Sequence, residues 1–126
     1  MKKLPINFLL LAAGHVAAAP SFTQAWPSCD IRAQHDVKGE TGGSIRDTLQ
    51  AHISVRVNVL QADIGNARKA RHLSETQSEQ LWHHADRVRK NVDGDVKSHG
   101  FLSAPERASY DREIDDIASK LCRAVK

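Results

Sequence analysis

Residues 95–121 read DVKSHGFLSAPERASYDREIDDIASKL, and the fold class turns on this stretch. It contains a helix stop, a helix start and the strongest amphipathic run in the chain. Gly100 follows Lys97-Ser98-His99 where a helix would end in a left-handed residue, a conformation that costs energy for any side chain with a Cβ. Ser103 opens the next helix. Its hydroxyl can accept from the Glu106 backbone N–H while the Glu106 carboxylate reaches back to the Ser103 N–H, a capping box. Pro105 falls in the first turn, where a missing N–H does no harm. Tyr110, Ile114, Ile117, Leu121 and Val125 then recur at steps of four and three, one face of an α-helix. Arg107, Asp111, Arg112, Asp115 and Asp116 occupy the opposite face, which reads as solvated, with Arg107–Asp111 and Arg112–Asp116 pairs four residues apart.

The same grammar occurs 29 residues upstream. Leu73-Ser74-Glu75-Thr76-Gln77 aligns with Leu102-Ser103-Ala104-Pro105-Glu106, and Leu81 aligns with Tyr110. Convergence on good capping chemistry and duplication both explain the match, and either way two helix starts are marked. From Glu75 to about Val92, Leu81, Ala85, Val88 and Val92 share one face, with fraying or a kink expected at Asn91–Gly94.

Ser44 to Ala70 is ambiguous. Ile45, Leu49, Ile53, Leu60, Ile64 and Ala67 have helical spacing, with Ser44 as N-cap and Asp47 completing an S-x-x-D start. Ile53, Val55, Val57 and Val59 nevertheless alternate with polar residues as a strand would. A lone strand has no partner for its backbone groups and no hairpin signal flanks this one, so the segment is read as a helix. Trp26 to Gly43 is punctuated by Pro27, Gly39, Gly42 and Gly43 and reads as irregular. The expected fold is all-α: an antiparallel three-helix bundle over residues 44–126, with an irregular segment, 26–43, tied to the last helix by a disulfide.

That disulfide follows from compartment. Lys2 and Lys3 precede an apolar run, Ile6 to Ala19, and the exit is rich in small residues. This is the pattern of a cleavable secretory signal peptide, residues 1–25, with cleavage after Ala18 or Ala25. Neither cysteine sits in a lipoprotein-type box, and no other segment is apolar enough to span a bilayer. A periplasmic or secreted protein is expected. In such an oxidising place Cys29 and Cys122, the only cysteines, most simply pair with each other. The rival reading, reactive or intermolecular thiols, finds no C-x-x-C to support it. The chain has 18 Lys and Arg against 15 Asp and Glu. Loss of Lys2 and Lys3 with the signal leaves a near-neutral surface of alternating sign, which gives no ground for nucleic-acid binding.

Three resemblances bear on function. The twelve residues Asp95 to Glu106 resemble an EF-hand calcium loop in frame, with Asp95 first, Gly100 sixth and Glu106 twelfth. Lys97 and His99, however, stand third and fifth, where that family places oxygen ligands. The upstream copy, Asn66 to Gln77, has no carboxylate at the ligand positions. Leu73 to Gln77 is similar to the LTxxQ signature of periplasmic stress proteins, a small helical group that is chaperone-like and metal-responsive; Ser74 stands for the threonine and the second copy ends in Glu106. Gly100 to Cys122, GFLSAPERASYDREIDDIASKLC, looks like the C-terminal part of small exported bacterial proteins of unknown function, a resemblance that carries no activity.

Candidate metal ligands are therefore Asp95, His99 and Glu106 for the degenerate loop. A second set is Glu79 and His83, four apart on one helix face with Asp86 three further on, which could present a nitrogen and two oxygens to zinc or copper. Neither carries a recognised spacing, and no cofactor is expected. Ser74 and Ser103 are accounted for as caps, no carboxylate pair stands apart, and no phosphate loop is present. The expectation is a non-catalytic interaction or accessory module with a protein partner. Its contact surface would involve Trp82, Phe101 or the Val55-Val57-Val59 ridge. The alternative is an envelope-stress protein that responds to calcium or another metal.

Overall fold

The structure, a computed structural model, describes residues 3, 14 and 18–126. The expected signal peptide falls mainly outside the described residues. Five helices are present in the described part: α1 Phe22–Ala25, α2 Ile31–Asp36, α3 Thr48–Lys69, α4 Glu75–His99 and α5 Ala104–Val125, with a 3-10 turn at Pro27–Cys29. The last three pack against one another as a three-helix bundle, and the described residues contain no strand. Cys29 and Cys122 form a disulfide, closing a sequence separation of 93 residues.

Both serine helix starts form as the sequence demands. Ser74 accepts from Gln77 N–H and Ser103 from Glu106 N–H, and in each case the third residue's side chain returns to the cap N–H. Leu73 and Leu102, one residue before each cap, are buried. Gly100 ends α4 at φ 83°, in the left-handed region. The equivalent corner between α3 and α4 places Arg71 at φ 64°, a less favoured choice for a residue with a Cβ.

Three boundaries differ from expectation. α3 is capped by Asp47, whose carboxylate accepts from Leu49 and Gln50 N–H, so the helix starts at Thr48 and Ser44 lies outside it. α4 runs through Asn91–Gly94 without a break to His99, because a single glycine costs a long packed helix only about 0.5–1 kcal/mol. The segment 26–43 is not wholly irregular: capped by Asp30, α2 spans a stretch whose apolar spacing is too sparse to announce it.

The strand-like alternation at Ile53–Val59 resolves as helix for a reason internal to α3. Ile53, Val57, Leu60, Ile64 and Ala67 enter the core with Val88, Val92, Ile114, Ile117 and Leu121. Arg56 is also buried, 1% exposed, on a face covered by the N-terminal strap. Val57 is fully buried while Val55 and Val59 are half-buried, so the three valines do not form a surface ridge.

The strap, residues 26–43, crosses the bundle and is fastened at several points. Asp63 accepts from Ser28 N–H at 2.9 Å and from its hydroxyl at 2.6 Å. Trp26 meets His72 edge-on at 5.9 Å between ring centres. Gly39 lies so close to α3 that an added Cβ would sit 2.2 Å from the Ala51 carbonyl oxygen. No helix of the described residues is long and apolar enough to cross a membrane.

Candidate functional site

The corner between α4 and α5 brings together one of the two predicted ligand sets. Asp95 and His99 are one helical turn apart on the last turns of α4, and Glu106 is the third residue of α5. One ligand atom from each can be chosen so that all lie within 4.8 Å of one another. The segment is not a calcium loop, because Asp95 to His99 are helical. The convergence comes from the fold of the corner.

Neighbours orient the two carboxylates. Ser103 N–H donates to Glu106 Oε1 at 3.0 Å, and bonds from the Ser103 side chain and backbone hold the Glu106 carboxyl below its ordinary range. The Tyr110 hydroxyl donates to Asp95 Oδ2 at 2.5 Å. Desolvation, then this bond to a carboxylate, raises the phenol far above its usual value, so it remains a donor at any ordinary pH. Lys97, whose charge would oppose a cation, lines a different hollow with Arg46 and Asp93.

The second set does not assemble. Asp86 is engaged by Lys90 at 3.0 Å and Arg89 at 3.7 Å on its own helix. The His83 ring stands edge-on to Trp82 at 5.3 Å. Among the described residues only Asp95, His99 and Glu106 form a three-residue group able to hold a metal.

A buried charged cluster lies where a solvated face is expected. Asp111 is 4% exposed and Asp115 half-buried. Arg56 donates from Nη1 to Asp111 Oδ1 at 2.8 Å and from Nη2 to Asp115 Oδ1 at 2.6 Å. His52 sits between Val37 O, 2.7 Å from Nδ1, and Asp111 Oδ1, 2.8 Å from Nε2. A carbonyl can only accept, so Nδ1 carries a proton. Arg107 Nη2 donates to His35 O at 2.7 Å, and its Nε lies 3.1 Å from Asp111 Oδ2, an ion pair off the N–H axis. His35 Nε2 completes the set 2.7 Å from Asp115 Oδ2. The strap thereby covers the second face of α5. A signal was present in the sequence: His52 and Arg56 are four apart, as are Asp111 and Asp115, so a cationic and an anionic pair match in pitch on two helices. These groups pair with one another, Arg56 Nε and Arg107 Nε alone keeping no hydrogen-bond acceptor, and they hold the strap against α3 and α5.

Among the described residues the large exposed aromatics are Trp82 at 41%, Phe101 at 55% and Phe22 at 39%. Trp82 stands at the rim of a hollow of about 320 Å³ between α3 and α4, with Ile64, Gly65, Arg68 and Glu79 among its walls. No atom comes within 4 Å of where a Gly65 Cβ would be, so the hollow is open on the α3 side. Phe101 is at the far corner, beside Gly100. No family model, curated protein or solved structure matches this chain.

Proposed function

We propose that this is an exported, non-catalytic interaction module that presents a fixed surface, centred on Trp82 and its hollow, to a protein partner. Trp82 carries the reading. A tryptophan left 41% exposed beside an open hollow on a rigid helix pair is the kind of anchor that dominates protein–protein contacts. Export is supported by the basic and apolar N-terminus and by the Cys29–Cys122 bond, since disulfides persist in oxidising compartments. The periplasm or the cell exterior is the proposed location.

Copurification from the exporting cell tests this. Trp82→Ser removes the anchor. Trp82 is kept in Gly65→Leu, which fills the hollow from α3. A specific partner retained by the unaltered protein is expected to be lost with both variants and kept with Phe101→Ser. Retention by both hollow variants would refute the surface. A second reading, an envelope-stress protein that responds to a metal, is favoured by the convergence of Asp95, His99 and Glu106.

A further inference from the structure

We propose that the α4–α5 corner is a binding site for a divalent transition metal of the zinc class, with Asp95, His99 and Glu106 as its protein ligands. The inference is independent of the Trp82 surface and stands on the chemistry of the corner.

Ligand type selects the metal. An imidazole nitrogen with two carboxylate oxygens suits zinc and its neighbours, whereas calcium requires six to eight oxygens. Three protein ligands leave a fourth, tetrahedral position for water. Metal–ligand bonds of about 2.0–2.2 Å place tetrahedral ligand atoms roughly 3.3–3.6 Å apart. The donor atoms at the corner lie within 4.8 Å of one another. His99 is exposed, so its ring can turn toward the two carboxylates by a change of rotamer.

Electrostatics point the same way. Seven Lys– or Arg–carboxylate pairs and three histidine–carboxylate contacts join side chains among the described residues, and Asp95, His99 and Glu106 take part in none of them. Two carboxylates thus face each other across a corner without a Lys or Arg to neutralise them, and a dication does so. The outer partners are those that metal ligands commonly have. Tyr110 fixes the Asp95 carboxylate, and Ser103 N–H fixes that of Glu106, narrowing the orientations each must give up on binding.

Isothermal titration of the oxidised, untagged protein with zinc, and separately with calcium, tests the assignment. One zinc per chain is expected, with calcium binding absent or far weaker. Glu106→Gln preserves the capping box, since Gln77 plays the same part at the start of α4. His99→Ala alters an exposed side chain. Each variant is therefore expected to fold and to weaken zinc binding by about tenfold or more. His83→Ala is expected to leave it unchanged. Cobalt in place of zinc is expected to give the intense visible absorption of a tetrahedral site, lost in His99→Ala. Absence of zinc binding, calcium bound more tightly than zinc, or zinc binding that survives both corner variants would overturn the proposal.

Discussion

Asp111 concentrates the chemistry that holds the strap down. Burial pushes its carboxyl up, but hydrogen bonds from His52 and Arg56 and their charges outweigh that, leaving it below the ordinary value. A carboxyl with a depressed folded pKa stabilises the fold above the unfolded value, about 3.9, and loses that contribution as pH falls through the folded value. Asp111→Asn is expected to cost about 1.5–3 kcal/mol at neutral pH, because buried Arg56 and His52 lose their shared carboxylate and Arg56 keeps only the half-buried Asp115. It should also flatten the fall in stability below about pH 4. Urea denaturation over a pH series reads both, and an unchanged acid limb would move that role to another carboxylate. Sequence reading left Asp111 in solvent because Arg107 four residues earlier supplied a sufficient surface partner. Residues 31–39 hold only Ile31, Ala33 and Val37 as apolar residues, too few to announce that this face of α5 would be covered.

At the level of elements, local chemistry was legible wherever one residue type answers one backbone need. Ser74, Ser103 and Gly100 act as their types dictate. The α3 start was misplaced because Ser44 and Asp47 both satisfy capping grammar, and only the fold selects between them. Glycines separate the two regimes. Gly94 lies within α4 with no atom within 4 Å of an added Cβ, so Gly94→Ala is expected to stabilise the protein by about 0.5–1 kcal/mol. Gly39 faces the backbone of Ala51, and Gly39→Ala is expected to destabilise by about 1–3 kcal/mol as the strap is forced off α3. Thermal unfolding of the two variants checks the pair. Equal effects would mean that the strap is not packed against α3 as described. The α4–α5 corner was half legible: the frame from Asp95 to Glu106 named the three candidate ligands, but for a loop that does not form. Helix pitch and the turn at Gly100, rather than loop spacing, bring them together.

For the whole molecule, one cross-link joins the strap to the last helix and the charged cluster fastens the segment between. Reduction of Cys29–Cys122 is expected to lower stability by about 2–5 kcal/mol, read from denaturation with and without reductant. A loss near zero would mean that Asp63, His52 and Asp115 hold the strap unaided. Surface function is where sequence is least informative: Trp82 adjoins the apolar stripe of α4, a place that suits the core and its rim equally, and only the fold leaves it exposed. Site-specific photo-crosslinking in the cell addresses the Trp82 surface most directly. A crosslinker placed at Glu79, on the wall of the Trp82 hollow, is expected to yield one discrete protein adduct that disappears with Trp82→Ser. The same crosslinker at exposed Lys120 on α5 is expected to yield none. No adduct at Glu79, or one indifferent to Trp82→Ser, would contradict the reading of this protein as a module that works through that face.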